Sequence, residues 1–220
     1  ACTQQPDCEK TPDDPACTKQ PDCEKTPDDP ACTQTIITCN ETYTGVRIRF
    51  MSANTTSGNN QTYDEGKGIR MFQALKPDII LIQEFNYKDN TTEDLDEMVQ
   101  KSFGDGFHYY CGNGSIPNGI ISRYPILSSG YWNSNKVSNR AWEWAVIDIP
   151  GDRDLLAVSV HLHSDNYSSE LSPLHDKIQA KQKEGNYYVV LGGDFNARNR
   201  GGVLSNMGAN GDVFAVHNYQ

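Results

Sequence analysis

Four short apolar runs in this chain each lead into a polar side chain of a kind that does chemistry, and that pattern limits the folds open to it. RFMSAN ends at Asn54, DIILIQE at Glu84, the run in DLLAVSVHLHS at His161, and the run in YYVVLGGDFNAR at Asp194. Asn54 shares parity with Phe50, Glu84 with Ile82, Asp194 with Val190, and His161 with Ala157 and Ser159. Side chains on a strand alternate with period two, so each polar group is expected on the face of those neighbours. Taken singly, each has a plain structural reading: Asn54 as a turn cap, Glu84 as a partner for arginine, His161 as a hydrogen-bonded core histidine. Four strands ending alike point instead to one shared site. The last segment adds Gly192 and Gly193, where backbone turns tightly or approaches something closely. Asp194 and Asn196, two apart, set a base or metal ligand beside a neutral phosphate donor, although Gly-Gly-Asp after a strand is also ordinary turn chemistry.

The apolar pattern predicts strands over 46–54, 78–84, 107–111, 119–122, 126–132, 141–149, 155–161 and, last, 187–191. Ile69, Phe72 and Leu75 at helical spacing predict a helix over 63–75. Leu95 and Met98, with acids early in the segment, predict a second over 92–103, and a third covers 170–183. Many strands with a few helices suit a layered α/β sandwich.

Residues 1–33 have a different character. ACTQQPDCEKTPDDP at 1–15 returns at 16–30 with Gln4 replaced by Lys19, and a third copy opens at Ala31. The unit holds no aromatic or branched aliphatic residue, so burial cannot offset the entropy of ordering it. The expected organisation is a Cys/Pro/Asp-rich stalk over 1–34, disordered or looped by disulfides, and a domain over 35–220. Cys2 and Cys8, and Cys17 and Cys23, stand six apart, close enough for small disulfide loops. Five of the seven cysteines lie in this region without CxxC spacing or a companion histidine, which favours an oxidising compartment over a metal knot. A secreted, cell-surface or periplasmic location is therefore expected, with the stalk available as a surface tether. Cys39 and Cys111 remain for the domain, to pair or to stay free.

Charge narrows the partners. Residues 1–33 carry eight acids and three lysines (−5), and the remainder 21 acids and 16 bases (−5), which together make the formal −10. Phosphate backbones are held by Lys and Arg, so an acidic domain does not advertise a broad nucleic-acid surface. A divalent metal can offset that locally. No apolar run reaches the ~18 residues of a membrane span, so no transmembrane segment is expected. No export signal opens the chain, so any such signal is expected to lie outside it or to have been removed.

RFMSAN, DIILIQE, NGIISRYPI, VSVHLHS and GGDFNAR, in this order over residues 45 to about 200, resemble the endonuclease/exonuclease/phosphatase superfamily, the DNase I-like fold. The IQE and GDFNA elements are the specific ones. The resemblance implies an α/β sandwich of two packed, mixed sheets flanked by helices, with the site at their common edge. It implies metal-dependent hydrolysis of a phosphoester, with Mg²⁺ or another divalent cation such as Mn²⁺ or Ca²⁺. In that scheme Glu84 is the metal ligand, and Asn54 helps to set the metal and the phosphate. Asp194 orients or deprotonates the attacking water, Asn196 donates to a phosphoryl oxygen, and His161 contacts the phosphate, with His163, of the same parity, as its rival. Arg140 and Tyr110 occupy places where the family has phosphate-binding or site-lining residues. The family closes with a Ser-Asp-His segment, and none follows GGDFNAR; Asp212 and His217 are the only downstream candidates, at a spacing that does not match. The expectation is that the chain lacks its last strands, or that the site is built differently.

These observations favour a phosphodiesterase such as a secreted endonuclease. The alternatives are a sphingomyelin- or inositol-phosphate-type phosphoesterase, which exposed aromatics near the site would favour, and a surface binding module that kept the fold and lost catalysis. Tyr131, Trp132, Trp142 and Trp144 are available for a lipid-facing patch, but strand alternation is expected to bury most of them.

Overall fold

Ile79–Gln83 is buried along its whole length. A strand can be so only where both faces of its sheet are covered. The structure is a computed structural model that describes residues 45–55, 66–197 and, for the backbone, 213–217. The chain divides into two units, Ala1–Gly45 and Val46–Gln220, and the elements below belong to the second. The expected stalk and its cysteine loops lie outside the described residues.

Along the chain run β1 (Phe50–Asn54), α1 (Lys67–Leu75), β2 (Ile79–Gln83), α2 (Thr92–Phe103), β3 (His108–Cys111), β4 (Gly119–Ser122), β5 (Ile126–Trp132), β6 (Trp142–Ile147), β7 (Leu155–His161), α3 (Ser168–Gln182), β8 (Tyr188–Asp194) and β9 (Val213–His217). They form two mixed sheets, ordered β1-β2-β4-β3 and β5-β6-β7-β8-β9. β1 pairs β2 in parallel, and so do β7 with β8 and β8 with β9; the other pairings are antiparallel. Ile79 and Leu81 of β2 meet Ala145, Ile147, Leu155, Ala157 and Val190 of the second sheet in a core between the layers. Ile80 and Ile82, on the opposite face, pack on Phe72 of α1 and on Leu95, Met98 and Val99 of α2. Leu171, Leu174 and Ile178 of α3 cover the outer face of the second sheet. The expected sandwich with helices outside is thus the observed fold.

Local chemistry sets the boundaries. α2 begins with a capping box, Thr91 accepting from the Asp94 amide while the Asp94 carboxylate turns back to the Thr91 amide. β5 is an edge strand with a register shift between Ile126 and Ser128, and it exposes most of its residues, Leu127 and Tyr131 among them.

Two expectations need correction. The strand predicted over 187–191 continues to Asp194, so Gly192 and Gly193 lie within β8 and not in a turn. The role of Gly193 is close approach: a Cβ on it would stand 1.9 Å from the Val160 carbonyl oxygen of β7. Nor is that strand the last. β9 follows it and pairs with it, bringing His217 into register with Gly193.

Candidate active site

Parallel pairing builds the site. Antiparallel neighbours put their carboxyl ends at opposite edges of a sheet, whereas parallel neighbours put them at the same edge. In β1 and β2, Asn54 is in register with Gln83, immediately before Glu84. In β7 and β8, His161 is in register with Asp194. Across the layers, the Asn54 amide nitrogen bonds both carboxylates, at 3.2 Å from Glu84 Oε1 and 3.1 Å from Asp194 Oδ2. His161 lies between the same two groups, with Nδ1 3.9 Å from Glu84 Oε1 and Nε2 3.6 Å from Asp194 Oδ2. Both separations exceed a hydrogen bond, and the buried Nδ1 has no partner.

Asn54, His161 and Asp194 face the other sheet, as their parity predicts. Glu84 does not follow that rule. Its parity partner Ile82 packs on the helices, on the far side of the sheet. Glu84 reaches the site because its backbone turns at φ 53°, which breaks the alternation just past the end of β2. Asn196 takes the same left-handed conformation, φ 49°. Its amide N–H closes a turn on Asp194 Oδ1 at 2.9 Å, and its side-chain Nδ2 donates to the Leu162 carbonyl at 2.7 Å. Turn chemistry and site chemistry therefore share one segment, and one of the two Nδ2 hydrogens is left for a ligand.

Arg140 clamps the carboxyl end of β7, donating from Nε to the His161 carbonyl at 2.7 Å and from a terminal nitrogen to the Leu162 carbonyl at 2.9 Å. Its positive charge reaches Glu84 and Asp194. His163 is occupied elsewhere: its Nδ1 accepts from the Asp165 amide at 3.0 Å, which leaves His161 as the histidine between the carboxylates. Tyr110 is not joined to this group by any described contact; its hydroxyl faces Glu143. Cys111 is a free thiol, and burial pushes it up to about 12.

The electrostatics are those of crowded negative charge. Burial raises the Glu84 carboxyl above its ordinary range and the nearby Asp194 adds to that, while the Asn54 amide and Arg140 pull the other way. His161 is pushed down to about 4, by burial first and by Arg140 second, with Asp194 opposing. It is neutral at physiological pH. An unfolded histidine titrates near 6.5, so between that value and about 4 the unfolded chain holds the extra proton. Stability is present above this window and lost as pH falls through it. The thermal midpoint of the metal-free protein is expected to drop on acidification, and to drop less in His161→Gln; equal slopes in the two proteins would contradict this.

The donor set fits a hard divalent cation. Two carboxylates, both mostly buried, share one amide donor and one arginine, so positive charge is short at the point where they meet. Among the described residues no three His, Cys, Asp or Glu side chains cluster closely enough for an all-protein cage. A cation held here would therefore rest on one or two carboxylates and keep several waters. Asn54 as it stands offers hydrogens to this point, not its carbonyl oxygen.

Several polar groups around the site escaped the sequence reading. Buried Glu170 of α3 accepts from the Ser134 hydroxyl and, at 2.6 Å, from the His163 amide. Buried Gln83 donates to Ser159 Oγ at 3.0 Å, and Ser159 donates to the Ile82 carbonyl at 3.0 Å, tying the two sheets together beneath the site. Glu143 had a readable signal, since it shares parity with Ala145 and Ile147 on an apolar face.

The family model for the endonuclease/exonuclease/phosphatase family matches residues 69–216, well over half of the chain. The chain belongs to this family. Members of known structure share its fold: truncated Caenorhabditis elegans TDP2 has a TM-score of 0.52 at 17% identity, over 69% of this chain and 63% of that one. ANGEL2, a 2',3'-cyclic phosphatase, has 0.52 at 14%, over 70% and 57%. The human Nocturnin catalytic domain with bound sulfate has 0.52 at 16%, over 68% and 65%. The chain thus spans less than two thirds of the length of each of these structures. No curated protein matches it.

Proposed function

We propose that this domain hydrolyses a phosphoester with the help of a divalent metal, and that its substrate is a phosphodiester of the kind a secreted endonuclease cuts. The observation that carries the reading is the meeting of Glu84, Asn54, His161 and Asp194 from four strands of two sheets, with two carboxylates around one point. Membership of the family supports it.

Glu84 would hold the metal, with Asn54 beside it, and a metal there would supply charge stabilisation to the phosphoryl oxygens. The chain's own residues do the rest. Asp194, held by the Asn54 and Asn196 amides, orients a water and takes its proton as the water oxygen bonds phosphorus. The ester P–O bond breaks on the opposite side, and the leaving oxygen takes a proton from solvent water, to which Asp194 returns the one it took. Neutral His161, the remaining Asn196 hydrogen and Arg140 supply donors to the phosphoryl oxygens without adding negative charge.

The aromatic residues give the lipid alternative no patch. Trp142 is buried, Trp132 and Trp144 stack on each other against the outer core, and Tyr131 alone of the four is exposed. No helix among the described residues is long and apolar enough to cross a membrane. On this reading the repeat over 1–34 is a stalk outside the catalytic domain, and the protein works in a secreted or cell-surface setting. The deciding experiment is turnover of DNA, RNA, sphingomyelin and inositol phosphates by the full chain, with Mg²⁺ and with chelator. Metal-dependent cleavage of a phosphodiester that Glu84→Gln abolishes is the expected result. Metal and phosphate binding with no turnover of any ester would make the domain a binding module.

A further inference from the structure

Glu143 is wholly buried on β6, facing the opposite sheet beside Ala145 and Ile147. The space it fills exists because residue 112 is glycine: a Cβ there would stand 1.9 Å from Glu143 Oε1 and 2.3 Å from its Cδ. Neither carboxyl oxygen has a well-formed hydrogen bond. Its in-register neighbour on β7 is Ser159, which bonds Gln83 and the Ile82 carbonyl on the strand leading to Glu84. Two residues further along that face of β7 is His161.

The titratable groups facing Glu143 are Tyr110 and Cys111 of β3 and, across the pairing, Tyr131 of β5. None is a cation. The Tyr110 hydroxyl lies beside the carboxyl, short of good hydrogen-bond geometry. Other buried polar atoms in this part of the fold, Gln83 Oε1 and Asn118 Oδ1, are acceptors without a donor. An ionised carboxylate can only accept, and among the titratable groups facing it the Tyr110 hydroxyl is the donor at hand, poorly aimed; the neutral acid brings a donor of its own.

We propose that Glu143 is a positioning residue held as the neutral acid, which links Tyr110 on one sheet to the Ser159–Gln83 pair behind Glu84 and His161 on the other. Its part in turnover rests on the phosphoester reading above. Burial raises its acid to about 8, with Tyr110 opposing. An unfolded glutamate releases its proton near 4.5, so the stability tied to this proton is complete below that value and is lost as pH rises to about 8. Charge then appears between the sheets, and the support behind the site loosens.

The test is infrared spectroscopy of the full chain across this range, together with the pH–rate profile on a nitrophenyl phosphodiester with Mg²⁺. At neutral pH the wild type is expected to show a buried protonated-carboxyl band that Glu143→Gln lacks. The band should vanish near pH 8, and at higher pH in Tyr110→Phe, because the hydroxyl that favours the charged form is gone. Turnover should fall through the same window. Glu143→Leu should lose about tenfold in rate, the scale of a modest misplacement, while Glu143→Gln restores most of it and removes the alkaline fall. A wild type without the band, a midpoint unmoved by Tyr110→Phe, or an unchanged alkaline fall in Glu143→Gln would overturn the proposal. Absence of turnover in every variant would sink the phosphoester reading instead, and the band and its response to Tyr110→Phe would still decide the link.

Discussion

Asp194→Asn is expected to lower phosphodiester turnover by about 10²–10⁴-fold, the usual worth of a positioned general base, while leaving the metal-free fold as stable as the parent or more so. The two halves have one cause. Asp194 and Glu84 are mostly buried and share the Asn54 amide, and the Asp194 charge adds to the cost of ionising Glu84. Asparagine keeps the shape and can still accept from the Asn196 amide, but it cannot take a proton from water. The Asn54 bond it gives up, because its NH2 would face the Asn54 NH2, is set against the removal of one buried charge. Removing one of two like charges lowers the cost of ionising Glu84, although burial, the larger cause, still holds that carboxyl above its ordinary range. With Glu84 still in place to hold it, Mg²⁺ should still raise the thermal midpoint, by less than in the parent. Thermal melts with and without Mg²⁺, beside turnover, measure all of this. A variant that keeps the parent's turnover would show that the base lies elsewhere.

Gly193→Ala is expected to cost about 3 kcal/mol or more, the upper range for forced overpacking, and to remove the site with the stability. The added carbon would press on the Val160 carbonyl oxygen at 1.9 Å and on Val160 Cγ2 at 2.8 Å. Neither can move without parting β7 from β8, and those two strands deliver His161 and Asp194 in register. Gly151→Ala is the control. Gly151 also has a positive φ, 141°, but nothing lies within 4 Å of a Cβ placed there, so only the backbone preference is lost. About 1 kcal/mol is expected for it. Urea denaturation of both variants gives the comparison, and equal losses would mean that the contact with β7 has no weight of its own.

Much of this protein is written locally. Short-range patterns placed α2 over Thr92–Phe103 and β4, β5 and β7 at their observed bounds, because propensity, capping and apolar spacing act within a few residues. Parity alone put Asn54, His161 and Asp194 on the inner faces, since a strand has only two sides to choose from. Other features depend on what the chain meets after folding. Glu84 reaches the site through a left-handed residue that no alternation pattern encodes. Of His161 and His163, it is His161 that stands between the carboxylates, because the pairing of β7 with β8 sets it opposite Asp194. The sequence leaves Gly193 as either a turn or a close approach, and the packing of β8 on β7 makes it the second. Parity brought Glu143 to an apolar face, but Gly112 and Tyr110 of another sheet made the pocket that keeps it there. Periodicity reports which side of its own strand a residue occupies; which strand lies opposite, and with what charge, is set by pairing between segments distant in sequence, and that is where the chemistry of this site is assembled.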